Sequence, residues 1–138
     1  MLEWLRFWRH TKSPEPALRG APATPRMKTY AAESGYLYHY FFLGVEESKT
    51  HLKYAFSISG DRKSWFVNCV AVELDSLHDW EREHGRTLIA GERYAIAKLT
   101  LFEAFDSRSS PNFLHLPIGA GRREVWGCLE RIRAMPDA

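Results

Sequence analysis

Between residues 36 and 74 the chain repeats a period-two pattern three times, with short polar turns between the repeats. Successive side chains of an extended strand point to opposite faces, so such runs can only be half-buried strands. In the first run, over 36–43, Tyr36, Tyr38, Tyr40 and Phe42 share one face, and Leu37, His39 and Phe41 share the other. The second, over 50–59, places Leu52, Tyr54, Phe56 and Ile58 against His51, Lys53, Ala55 and Ser57. The apolar set belongs to a core and the mixed set to water or a partner. The third, over 64–74, is apolar on both faces and reads as a central strand. Turn residues at Gly44–Ser48 and Gly60–Lys63 are short enough to demand an antiparallel meander.

Register is what these runs leave open. A one-residue slip exchanges the two faces of a strand. An even-numbered connection between the second and third runs sets Trp65, Val67 and Cys69 beside Phe56 and Tyr54; an odd one swaps the faces. The same parity question decides whether the tyrosine row joins Phe56 or stands beside His51 and Lys53.

Beyond residue 74 the period lengthens to that of helices. Ser76, with Asp79 three positions on, reads as a capping-box variant opening a helix that stops at Gly85. A longer helix is expected over about 89–105. Its apolar arc holds Tyr94, Ala97, Leu101, Ala104 and Phe105, with Thr100 on the opposite side. Val125, Cys128, Leu129 and Ile132, at i, i+3, i+4 and i+7, predict a last helix over about 122–135, ended by Pro136. Residues 113–116 read as a short fourth strand. The expected fold is therefore α+β: a three- or four-stranded antiparallel meander followed by two or three helices packed on one face of the sheet.

Residues 27–138 form one domain in this reading, which suits a chain of 138 residues. Residues 1–10 carry Trp4, Leu5, Phe7 and Trp8 as a short amphipathic segment, and 11–26 form a linker containing Pro14, Pro16, Pro22 and Pro25. Tryptophan with arginine is the chemistry of an interfacial helix, so residues 1–10 are expected to dock on the domain or fray, with contact to a membrane surface as the alternative. No run is long and apolar enough to span a bilayer. Cys69 and Cys128 fall on apolar patterns rather than in a pair, which fits buried thiols in a reducing, cytoplasmic setting.

The formal net charge of +2 is too small for a strongly basic nucleic-acid footprint. If the tyrosine face is open, Tyr36, Tyr38 and Tyr40 beside His51, Lys53 and Arg62 form a stacking platform for single-stranded nucleic acid. Lys98 falls inside the apolar arc of its helix, where an ammonium either snorkels out or lines an anion pocket. Gly119 and Gly121, followed by Arg122 and Arg123 at a helix start, form a phosphate-cradle pattern. Glu124, however, stands where a dinucleotide fingerprint needs its third glycine. Glu81 and His84 supply half of a carboxylate–histidine metal site, and His39 and His51 two ligands from neighbouring strands; neither set is complete, so no metal or cofactor is expected. No catalytic motif is present. The chain reads as a non-catalytic protein-interaction or homodimerising module using its aromatic sheet face. Single-stranded nucleic-acid binding by the tyrosines and a small-anion or ligand pocket, with or without catalysis, at Lys98 are the alternatives.

Overall fold

A computed structural model of the chain describes residues 18–134. The alternating runs become strands β2 (Leu37–Glu47), β3 (His51–Ser59) and β4 (Phe66–Glu73). Two short strands join them, β1 (Lys28–Ala31) beside β2 and β5 (Ile118–Ala120) beside β4, so the sheet order is β1-β2-β3-β4-β5. The first four strands are antiparallel and β5 is parallel to β4. A parallel neighbour requires a long crossover. Helix α1 (Leu74–His84), helix α2 (Ala90–Ser107) and a 3-10 turn (Pro111–His115) provide it, and helix α3 (Arg122–Ala134) follows β5. The α+β architecture is as expected, with more strands than the pattern suggested.

The register resolves the parity question. Tyr40 lies opposite Ile58 and Phe42 opposite Phe56; a bulge at Leu43 then brings Gly44 opposite Ala55 and Val45 opposite Tyr54. The bulge keeps the core face of β2 apolar, because Val45 takes the inward place that strict alternation assigns to Gly44. On the other side of β3, Phe56 meets Asn68 and Tyr54 meets Val70, so Phe66, Val70 and Val72 point inward. Trp65, Val67 and Cys69 belong to the opposite face.

The helices cover the inward face. Tyr38 stacks on Phe105 of α2 with ring centroids 4.4 Å apart, and Phe42 meets Tyr94 at 4.8 Å. Phe56, Ile58, Val70, Val72, Leu77, Leu101, Val125 and Leu129 complete a continuous buried core. Gly85 closes α1 in the left-handed region (φ 67°) and donates its amide to the Glu81 carbonyl, as its position in the sequence predicts.

Three local expectations are corrected. Residues 113–115 belong to the 3-10 turn, Leu116 caps it, and the strand lies just beyond. Asn68 holds that turn, donating to the carbonyls of Leu114 (2.8 Å) and Leu116 (2.9 Å). Ser76 sits inside the first turn of α1 rather than before it, and its hydroxyl donates to Glu73 at 2.8 Å. Thr100 is buried, because α2 packs on the sheet with one side and near Cys128 of α3 with another. A helix covered on two sides does not show a single apolar stripe. The amphipathic segment over 1–10 and the Pro136 stop lie outside the described residues. Among the described residues, no helix is long and apolar enough to cross a membrane.

Candidate functional site

A concave feature forms among the described residues between the β2–β3 end of the sheet and the first turn of α2. Tyr40, Phe42, Val45 and Tyr54 from the sheet, with Tyr94, Ala90 and Gly91 from α2, form the floor and inner wall. The segment 20–28 folds along the edge of β2 as the outer wall and contributes Pro22, Thr24, Arg26 and Lys28. It is fixed there by Arg19, which exchanges two backbone hydrogen bonds with Val45 (2.9 and 2.8 Å). The cavity has a volume of about 480 Å³, within the size range of small-molecule sites. A Cβ at Gly91 would meet nothing within 4 Å, so no close packing contact requires a glycine here.

The lining is aromatic with a few polar groups. Burial pushes the Tyr40 hydroxyl up to about 12, helped by the neighbouring Tyr94. Burial also pushes Tyr54 up to about 12 against the opposing pull of Arg93 and Arg19. Tyr94 is raised by the same cause. All three therefore stay protonated, as hydrogen-bond donors, throughout the neutral range.

Charge collects at one end. Arg26 and Lys28 stand in the wall. Lys98, one turn beyond Tyr94, holds its Nζ 5.8 Å from the Tyr94 ring centroid and 5.9 Å from that of Phe102. Burial lowers the Lys98 pKa, and the charge of Lys28 lowers it further. Among the described residues no ion pair engages Arg26, Lys28 or Lys98. The result is an apolar slot with phenolic donors and a cationic rim.

The other sequence candidates are dispersed. Tyr38 is fully buried and Tyr40 nearly so, under α2; only Tyr36, before β2, is exposed. The rings of Tyr38 and Tyr40 are already packed against Phe105 and are not open for bases to stack on. The aromatic face expected to meet a partner is the face the helices cover. Lys53 lies on the opposite face between Glu46 and Ala71, and Arg62 sits in the β3–β4 turn with φ 66°. His51 opens β3 and bonds Thr50 Oγ1 through Nδ1 at 2.8 Å. It does not meet His39, because the register puts His39 opposite Ser59 and His51 opposite Glu73, at the two ends of β3.

The glycines before α3 are similarly occupied. The Gly121 amide donates to Glu124 Oε1 at 3.0 Å, so the helix's own carboxylate fills the place a phosphate would take. Arg123 pairs with Glu124 at 3.2 Å, Arg122 lies over the Trp126 ring at 4.0 Å, and Gly119 is in β5. Glu81 is committed to structure: it accepts from the Leu88 amide (2.8 Å) and from Arg93 (3.1 Å).

Of the sequence candidates, then, Tyr40 lines the pocket and Lys98 stands beside it. Tyr54 and Tyr94 looked like ordinary core positions, Arg26 fell in the expected linker, and Lys28, just inside the expected domain, carried no distinguishing signal. The available signal was chemical: three tyrosines placed where phenylalanine would bury as well imply a polar outlet. No protein-family model matches the chain, and comparison with curated proteins and with solved structures finds no match to either.

Proposed function

We propose that this domain binds a small amphipathic organic anion in the slot between the β2–β3 end of the sheet and the first turns of α2. The coincidence of an apolar cavity lined by Lys28 with Lys98 beside it, neither held in an ion pair among the described residues, supports this reading. The apolar body of the ligand would lie on Phe42 and Tyr94, with its head held by the lysines and the phenolic hydroxyls. A desolvated ammonium gains more from an anion than a hydrated one does, because the attraction acts in a lower dielectric. The role is binding rather than catalysis: these groups position a ligand and offer no paired acid and base.

The test is a fluorescence titration with 1-anilinonaphthalene-8-sulfonate, followed by displacement with decanoate. One-to-one saturable binding, reversed by decanoate, is the expected result. Affinity should fall about tenfold in Lys98→Met, as for loss of one charge-assisted contact, and should weaken with added salt. A natively folded chain that shows no saturable, displaceable binding overturns the proposal.

A further inference from the structure

Two lysines from elements far apart in the chain are brought to the same end of the slot. In the β1–β2 pairing Lys28 lies opposite Tyr40 and Tyr30 opposite Tyr38, so Lys28 and Tyr30 share the helix side of the sheet. Tyr30 stacks on Phe102 of α2 with ring centroids 4.2 Å apart, which fixes β1 against that helix. From this stack, Lys28 is one same-face step back along β1 and Lys98 one turn back along α2. Both steps lead toward Tyr94: Lys28 lines the slot with it, and Lys98 Nζ stands 5.8 Å from its ring centroid. Tyr40, in the floor, lies opposite Lys28 and has its ring 5.8 Å from that of Phe102.

Two ammonium groups on facing elements repel, and the Lys28 charge adds to burial in lowering the Lys98 pKa. A carboxylate between them is the usual relief. Among the described residues neither lysine is in an ion pair, and the slot is lined by Arg26 as a further cation and by no Asp or Glu. A ligand with one negative charge would neutralise one ammonium and leave the other facing it. A ligand with two charges on one small head would neutralise both.

We propose that the slot takes a phosphate monoester, its dianionic head bridging Lys28 and Lys98 and its organic body lying in the apolar part of the cavity. This rests on the anion-binding reading above and narrows it to one class of head group. A phosphate monoester carries nearly two negative charges at neutral pH and three acceptor oxygens on one phosphorus, so donors arriving from β1 and from α2 are both served. A carboxylate or a sulfonate brings a single charge to the same place. Lys98, the more desolvated of the two, holds either kind of head, and Lys28 is the residue that discriminates between them.

The test titrates the full-length chain with three probes that share one body: naphthyl phosphate, naphthalenesulfonate and naphthoate. At neutral pH the phosphate should bind about tenfold more tightly than either monoanion. Its affinity should rise between about pH 5 and pH 8, as the second phosphate proton leaves, while that of the sulfonate stays level and reports any change in the protein itself. Lys28→Met should abolish the preference, lowering phosphate affinity about tenfold and sulfonate affinity less than about twofold. Retained sulfonate binding shows that this variant is folded. Displacement of naphthyl phosphate by phosphatidate vesicles, and not by phosphatidylcholine vesicles, assigns the head to a lipid; no displacement by either assigns it to a soluble ester. Equal affinity for the three probes, or a phosphate preference that survives Lys28→Met, overturns this inference and leaves the anion slot standing. Absence of binding by all three removes the slot reading and this inference with it.

Discussion

Tyr38 lies flat on Phe105, ring planes 10° apart, and its hydroxyl has no hydrogen-bond partner among the described residues. The stacked pair joins β2 to the last turns of α2 and makes the tyrosine side of the sheet its interior. The ring contributes and the hydroxyl costs, so the two can be separated by substitution. Tyr38→Phe should be neutral or stabilising by about 1 kcal/mol, because a buried donor without a partner carries a desolvation penalty. Phe105→Ala should lose about 3–5 kcal/mol through the cavity it leaves. Urea unfolding of both variants checks this; a loss of more than about 1 kcal/mol in Tyr38→Phe would show that the hydroxyl has a partner after all.

Alkaline pH should weaken the fold through the phenols. Tyr30, Tyr40 and Tyr54 are each pushed up to about 12, all chiefly by burial, with Tyr30 also donating to Asp106 at 2.7 Å. In the unfolded chain these groups ionise from the ordinary tyrosine value of 10.0. A folded pKa above the unfolded one means that the folded state binds more protons in that window. Stability is therefore full below pH 10 and declines as pH rises toward 12. Absorbance titration at alkaline pH should show a group of phenols that ionises only together with unfolding. Tyr54→Phe should flatten the decline, and a smooth titration of all the tyrosines near 10.0 in the folded chain would contradict the burial.

Asn68 is the polar residue in the inward series of β4, and its amide gathers two carbonyls of the turn before β5. Its side-chain oxygen accepts from the Cys69 amide at 2.8 Å. Asn68→Ala should cost about 2 kcal/mol, as expected for the loss of two hydrogen bonds, one part-buried and one exposed. Hydrogen exchange should speed up at β5 and in the turn, while β2 and β3 keep their protection. Uniform loss of protection would mean that Asn68 supports the whole sheet instead of this corner.

The readable parts of the fold were those with their cause in local sequence. The alternation at Leu52, Tyr54, Phe56 and Ile58 marked β3, and the i, i+3, i+4, i+7 series from Val125 to Ile132 marked α3. β1 and β5 were not readable. Four residues, Lys-Thr-Tyr-Ala, and three, Ile-Gly-Ala, become strands because a longer strand already offers an edge to each. The pocket was legible only at Tyr40 and Lys98, the one a member of a periodic row and the other a charge in an apolar arc.

By itself the sequence determined which residues alternate, where the helices run and which glycine stops the first of them, because these follow from backbone geometry over a few neighbouring residues. Only the tertiary structure decided which face of each strand became interior. That choice depends on register: the bulge at Leu43 and the docking of Phe105 on Tyr38 bury the phenols, turn Trp65, Val67 and Cys69 to the other side, and leave the slot at Tyr94 open. Contacts between residues far apart in the chain set these relations, and no local pattern encodes their parity.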